Sequence, residues 1–277
     1  MSIITYKADH KLEHKGLISK NIMAHNEMHT GKRDYEEKHY YVFNNQLLVG
    51  YASVVLAWDW IHLGDLWFEN DDVLRMMINQ VSETYKSRVV GIQYNTYIDS
   101  VKKSFLSCDF YELNKIPDMP IGRNTSFLFY NYLEKQDVST NLTIEVYDEI
   151  NKQHIDIVKE KATEFQRLNK MILGKTDLSF LAYDENDFVG GVYGYLELDH
   201  LYVNLIVVLP NYRDKKIASN LMNLLEDEGR RRGIKVVYLG TCDFQAYDFY
   251  VKLGYSDMMT IKDYPKGFKE YTFIKDL

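Results

Sequence analysis

A basic loop in the second half of the chain carries the clearest chemical signal. The segment Leu201–Val208 alternates as a strand, ends at Leu209-Pro210, and passes through NYRDKK into a helical pattern that begins near Ile217. A helix start exposes unpaired backbone N–H groups at the positive end of the helix dipole, and Arg213, Lys215 and Lys216 add charge there. This combination suits a phosphorylated ligand. Two other constellations carry less. His25, Glu27 and His29 share a helical segment with two histidines four apart, but the glutamate spacing is wrong for a zinc-protease helix, there is no third ligand, and no metal is expected. Gly190, Gly191 and Gly194 lie within a strand pattern with no helix following, which excludes a dinucleotide loop.

The elements that must position the basic loop occur twice. IPDMPIG, from Ile116, matches IKDYPKG, from Ile261, at Ile, Asp, Pro and Gly, each pair 145 positions apart. Four matches in seven positions indicate a duplication. GYASVVLAWDWIHLGDLWF, from Gly50, and GVYGYLELDHLYVNLIVVL, from Gly191, each read as strand, turn and strand. The stretches from Val73 and from Ile217 both space apolar residues as amphipathic helices, and each leads into a β-branched run, Val89–Ile92 or Val236–Leu239. The segment Glu134–Asn141 is polar and aperiodic, so it reads as a linker. The expected organisation is α/β (α+β) with two tandem domains, 1–134 and 142–277, joined by 135–141. Each is a mixed, mostly antiparallel twisted sheet flanked by helices.

LIVVLPNYRDKKIASNLMNLLEDEGRRRGIKVVYL resembles the acetyl-CoA-binding core of the GNAT acetyltransferase superfamily, and the likeness spans nearly the whole second half. The family's pyrophosphate loop is Arg or Gln, two residues, Gly, one residue, then Gly or Ala. Arg213 and Ala218 fit that pattern, while Lys216 replaces the middle glycine. Glycine lets the main chain approach phosphate closely, so Lys216 is expected to lower affinity without abolishing binding. Downstream, LGTCDFQAYDFYVKLGY and the following IKDYPKGFKEYTF are similar to a bacterial subgroup of the same superfamily.

The resemblance implies acetyl-CoA as co-substrate. It would be held by Ile206, Val207 and Val208 through their backbone, by the loop Arg213, Asp214, Lys215, Lys216, Ile217 and Ala218, and by Gln245. It implies Tyr250 as general acid. A phenol with a pKa of about 10 stays protonated at neutral pH and can protonate a departing thiolate. No carboxylate stands at Asn204, where related sequences often carry Glu, which leaves Glu197, Asp199, His200 and Asp243 as candidates for the base. Phe105 is the counterpart of Tyr250, and Asn70-Asp71-Asp72 stands where the second half carries its basic loop. The first copy is therefore expected to be degenerate and to bind no acetyl-CoA.

Composition narrows the partners. A formal charge of −7 argues against a nucleic-acid backbone. The apolar stretches are too short to span a bilayer. Two cysteines, Cys108 and Cys242, in different halves and the lack of an apolar signal core near Met1 point to a reduced, cytoplasmic setting. A monomer or homodimer that acetylates a small-molecule amine is expected. Acetylation of a protein or peptide and noncatalytic sensing of acetyl-CoA are the rival readings.

Overall fold

A computed structural model describes residues 4–32, 35–117, 119–120, 122–130, 137–138, 141–168 and 174–277. Most of the expected linker, and Asp118 of the repeated motif, lie outside the described residues. In chain order the strands are β1 (Ile4–Ala8), β2 (Tyr35–Asn44), β3 (Leu47–Ala57), β4 (Trp60–Phe68), β5 (Gly91–Thr96), β6 (Tyr111–Ile116), β7 (Thr125–Tyr130), β8 (Leu142–Tyr147), β9 (Lys175–Asp184), β10 (Asp187–Glu197), β11 (His200–Val208), β12 (Val236–Cys242), β13 (Ser256–Lys262) and β14 (Lys269–Asp276). The helices are α1 (Lys15–Thr30), α2 (Asp71–Tyr85), α3 (Asp99–Ser107), α4 (Ile155–Leu168), α5 (Ile217–Arg231) and α6 (Tyr247–Lys252).

Two seven-stranded, mostly antiparallel sheets result. One has the order β1-β9-β10-β11-β12-β14-β13, the other β6-β7-β5-β4-β3-β2-β8. Each copy thus repeats the same strand plan, as the duplicated sequence implies. The halves of the chain are nevertheless not the folding units. The first unit comprises Met1–Lys32, Leu173–Lys262 and Gly267–Leu277, and the second Arg33–Ile172 and Asp263–Lys266.

This corrects the expected division at 134–142. The opening β1–α1 segment joins the sheet of the second copy, where Ile4–Ala8 runs antiparallel to Phe180–Asp184. Conversely, β8 pairs with β2, from His39↔Tyr147 to Asn44↔Leu142. The reason is that β1 and β8 are both edge strands. An edge offers a row of N–H and C=O groups that any strand of suitable length can complete, and local periodicity does not say which row.

The packing of α1 shows why the exchange is specific. Asp9 accepts the amides of Glu13 and His14 just before the helix, and the chain leaves it at Gly31, whose φ of 73° glycine adopts freely. Ile18 is fully buried against Leu181 and Tyr193. Its Cδ1 would come within 2.8 Å of a Cβ at position 191, so Gly191 is there for the close approach of this helix. On the other face of the sheet, α5 buries Ile217, Leu221, Met222 and Leu225 against Val192, Leu201 and Val203.

Candidate active site

Strand pairing opens the site. β11 and β12 run parallel, but they pair only from Leu201↔Val237 to Val203↔Leu239. Next to this break, β10 and β11 shift register between Tyr193↔Leu205 and Gly194↔Val203, which leaves Asn204 as the extra residue. Past this point β11 stays paired with β10 but parts from β12, and Ile206, Val207 and Val208 face a cleft of about 890 Å³.

The cleft runs from β11 to the start of α5. After a 3₁₀ turn at Pro210–Tyr212, Arg213 is extended and Asp214 takes a φ of 62°. Lys216, at the N-cap of α5, takes φ 61° and ψ 13° and gives the helix no side-chain cap. The first amides of α5 are thus left for a ligand, and Ile217, Ala218 and Ser219 line the cleft. Lys216 answers the expectation of a lost cradle: the main chain follows a path glycine would follow, at a cost in backbone strain of about 1 kcal/mol. Lys216→Gly should therefore raise stability by at most roughly 0.6 kcal/mol, after allowing for the freer unfolded chain. A melting temperature about 1–2 °C higher is the expected reading, and a lower one would show that the lysine side chain outweighs the strain.

Of the residues singled out in the sequence, Arg213, Asp214, Lys216, Ile217, Ala218 and Gln245 line the cleft with Ile206–Val208. Lys215 does not: its Nζ lies over the Tyr212 ring, 4.6 Å from the centroid. Gln245 builds the wall rather than presenting a free amide. Its Oε1 accepts from Cys242 N at 2.8 Å and Thr241 Oγ1 at 3.1 Å, and its Nε2 donates to Asn26 Oδ1 at 2.8 Å.

Tyr250, on α6, is not among the residues that line the cleft and belongs to the core cluster behind it. Tyr247 and Phe249 line the cleft, while the Tyr250 ring packs on Phe249, Tyr255 and Phe273 and is only 5% exposed. Burial pushes its pKa above the usual tyrosine value, so the hydroxyl stays protonated at neutral pH.

Of the four base candidates, Asp243 alone lines the cleft, and its Oδ2 accepts the Lys269 amide at 3.1 Å. Glu197, Asp199 and His200 sit at the β10–β11 turn. Six residues separate His200 from Ile206, roughly 20 Å along a strand. His200 is buried beside Asp199, and burial lowers its pKa.

The structure also brings in residues that sequence reasoning missed. Asn21, Ile22, His25 and Met28 line the cleft from α1. No local signal marks them, because only the strand exchange carries this helix to the site. Among the described residues no three His, Cys, Asp or Glu side chains lie together as a metal set. The His25 and His29 rings meet edge to face, 5.0 Å apart. Cys108 and Cys242 are buried and form no disulfide, and no described helix is long and apolar enough to cross a membrane.

An uncapped helix start, an arginine and an apolar wall beside two parting parallel strands fit a phosphorylated, pantetheine-bearing acyl donor. The profile of the acetyltransferase (GNAT) family matches residues 143–255. A blasticidin-S acetyltransferase of Streptomyces morookaense is 30% identical over 95 residues, covering 34% of this chain and 70% of that protein. An acetyltransferase of Agrobacterium fabrum is 30% identical over 94 residues, covering 34% and 69%. Among solved structures, an acetyltransferase from Bacillus cereus aligns at 23% identity over 47% of this chain and 96% of that one, with a TM-score of 0.42. An aminoglycoside 6'-N-acetyltransferase complexed with coenzyme A aligns at 19% identity over 47% and 94%, with a TM-score of 0.35. This chain belongs to the GNAT family of acetyltransferases, and acetyl-CoA is its acetyl donor.

Proposed function

We propose that the first unit transfers the acetyl group of acetyl-CoA to a small-molecule primary amine, with Tyr250 as general acid. The observation that carries this reading is the cleft itself: the free amides of α5 and Arg213 stand at one end, the parted β11 strand lies along it, and α6 borders the other side. Acetyl-CoA supplies a thioester, and acetylation of an amine releases a thiol. Arg213 and the first turn of α5 would bind pyrophosphate. The edge of Ile206–Val208 that faces away from β10, where β12 no longer pairs with β11, would hold the pantetheine and orient the acetyl carbonyl. Tyr250 would hold a proton at its hydroxyl oxygen for the departing sulfur. That phenol is close enough to Tyr202, on β11, to contribute to the rise in the Tyr202 pKa, after burial and the charges of Tyr195 and Glu270. The blasticidin-S acetyltransferase relative, by its name, favours a small-molecule acceptor. Thiol release from acetyl-CoA in the presence of polyamines, amino acids, aminoglycosides and peptides tests the reading. Turnover of peptides alone would replace it with peptide acetylation.

In the second unit the equivalent site is filled by the chain's own groups. Asn70 Oδ1 accepts the amides of Asp72 and Val73, capping α2, and Asp71 and Asp72 occupy the first turn. Hydrogen bonds from Ser104 and Ser107 hold the Asp71 carboxyl below its usual pKa. Phe105, opposite Tyr250 in the repeat, is fully buried and stacks on Tyr94 at 4.4 Å. These features support a unit that binds no acetyl-CoA. Calorimetric titration should give one site per chain, with Arg213→Glu weakening it by at least about tenfold while the melting temperature changes little. Two saturable sites, or undiminished affinity in the variant, would overturn the assignment.

A further inference from the structure

We infer that His25, on a helix from the opening segment of the chain, takes the proton that the amine must lose before it attacks. The inference rests on the amine-acetyltransferase reading above and supplies the base that reading lacks.

His25 lines the same cleft as Arg213 and Ile206–Val208. Its Nδ1 is buried and has no hydrogen-bond partner among the described residues. A buried ring nitrogen left open costs stability, which is tolerable where a ligand completes the bond. Neighbouring contacts fix the helix at this spot. The His29 ring stacks on Phe244 at 5.1 Å and meets His25 at 5.0 Å, and Asn26 holds Gln245 one residue further along the wall.

Burial and the two nearest basic groups favour a neutral ring. Desolvation is the largest cause lowering the His25 pKa below 6.5, followed by the charges of His29, on its own helix, and Arg213, ahead of α5; a hydrogen bond with the Phe244 backbone acts in the opposite direction. Asp214, Asp243, Asp248 and Lys216 line the rest of the cleft, and Asp243 is engaged by the Lys269 amide. A neutral imidazole at pH 7 has a lone pair for a substrate ammonium.

The proton balance is complete. An N–H bond of the ammonium breaks and the proton passes to Nδ1, making His25 an imidazolium. The freed nitrogen lone pair forms the C–N bond to the acetyl carbon. The C–S bond pair leaves with sulfur, which takes the Tyr250 hydroxyl proton; the newly acylated nitrogen gives up its second N–H proton, which restores the Tyr250 phenol, and His25 returns its own proton to water.

Two measurements test the assignment. In the protein without acetyl-CoA, the NMR titration of the His25 ring should have its midpoint below 6.5, and His29→Asn should raise it. With an amine that the wild-type protein acetylates, kcat/KM should fall on the acid side at the same midpoint. In His25→Gln the rate should drop by about 10²-fold and that acid limb should vanish, with the acetyl-CoA Kd within about threefold of wild type. A ring midpoint at or above 6.5, a variant rate within about threefold of wild type, a persisting acid limb or a parallel loss of acetyl-CoA affinity would each overturn the role of His25. A wild-type protein that turns over no amine would instead overturn the amine-acetyltransferase reading beneath it.

Discussion

Removing residues 1–32 is expected to abolish acetyl-CoA binding, although the deletion touches none of the family's loop residues. The sheet that carries the cleft would lose its edge strand β1, and the cleft would lose the wall formed by Asn21, Ile22, His25 and Met28. Leu181 and Tyr193, buried beneath Ile18, would be exposed. The graded form of the experiment is Ile18→Ala. Ile18 is fully buried, and truncating a core isoleucine costs about 2–5 kcal/mol, enough to remove a large part of the stability of an ordinary domain. Acetyl-CoA affinity and the melting transition of the first unit should fall together in that variant. Undiminished binding by the truncated chain would show that β1 and α1 are accessory.

Tyr250→Phe should slow the chemical step by about 10²-fold and leave the acetyl-CoA affinity nearly unchanged. The substitution keeps the ring that packs on Phe249, Tyr255 and Phe273 and deletes only the hydroxyl. Loss of packing is therefore a poor explanation for any effect. Single-turnover rates on a confirmed amine are the measurement, because slow product release would hide a change in steady-state kcat. Rates equal to wild type would return Tyr250 to the apolar core, where most of its surface already lies.

Much of the local structure was legible. Apolar spacing from Ile217 located α5, which begins at that residue and ends at Arg231. The alternating stretches on either side of Trp58-Asp59 and Leu198-Asp199 became β3–β4 and β10–β11. Residue type and position marked the basic loop as a candidate anion site; Arg213, Asp214 and Lys216 border the cleft and Lys215 does not. Other details of the site depend on neighbours distant in sequence. Gln245 spends its amide on Asn26, 219 positions away, and Lys215 folds onto the Tyr212 ring. Propensity carries no record of such partners.

The sequence by itself determined the elements, the duplication and the family, because each is written in periodicity, repeat spacing or a short motif. Tertiary structure decided which sheet each β1–α1-type segment completes. Two similar sheets offer similar open edges, so the choice between β9 and β2 as partner for β1 lies in long-range packing such as Ile18 against Gly191, not in the five residues of the strand. It also decided the meaning of His25. In the sequence this is one of two histidines four apart on a helical segment; in the fold its helix lines a cleft built by residues about 180 or more positions further along, within electrostatic reach of Arg213.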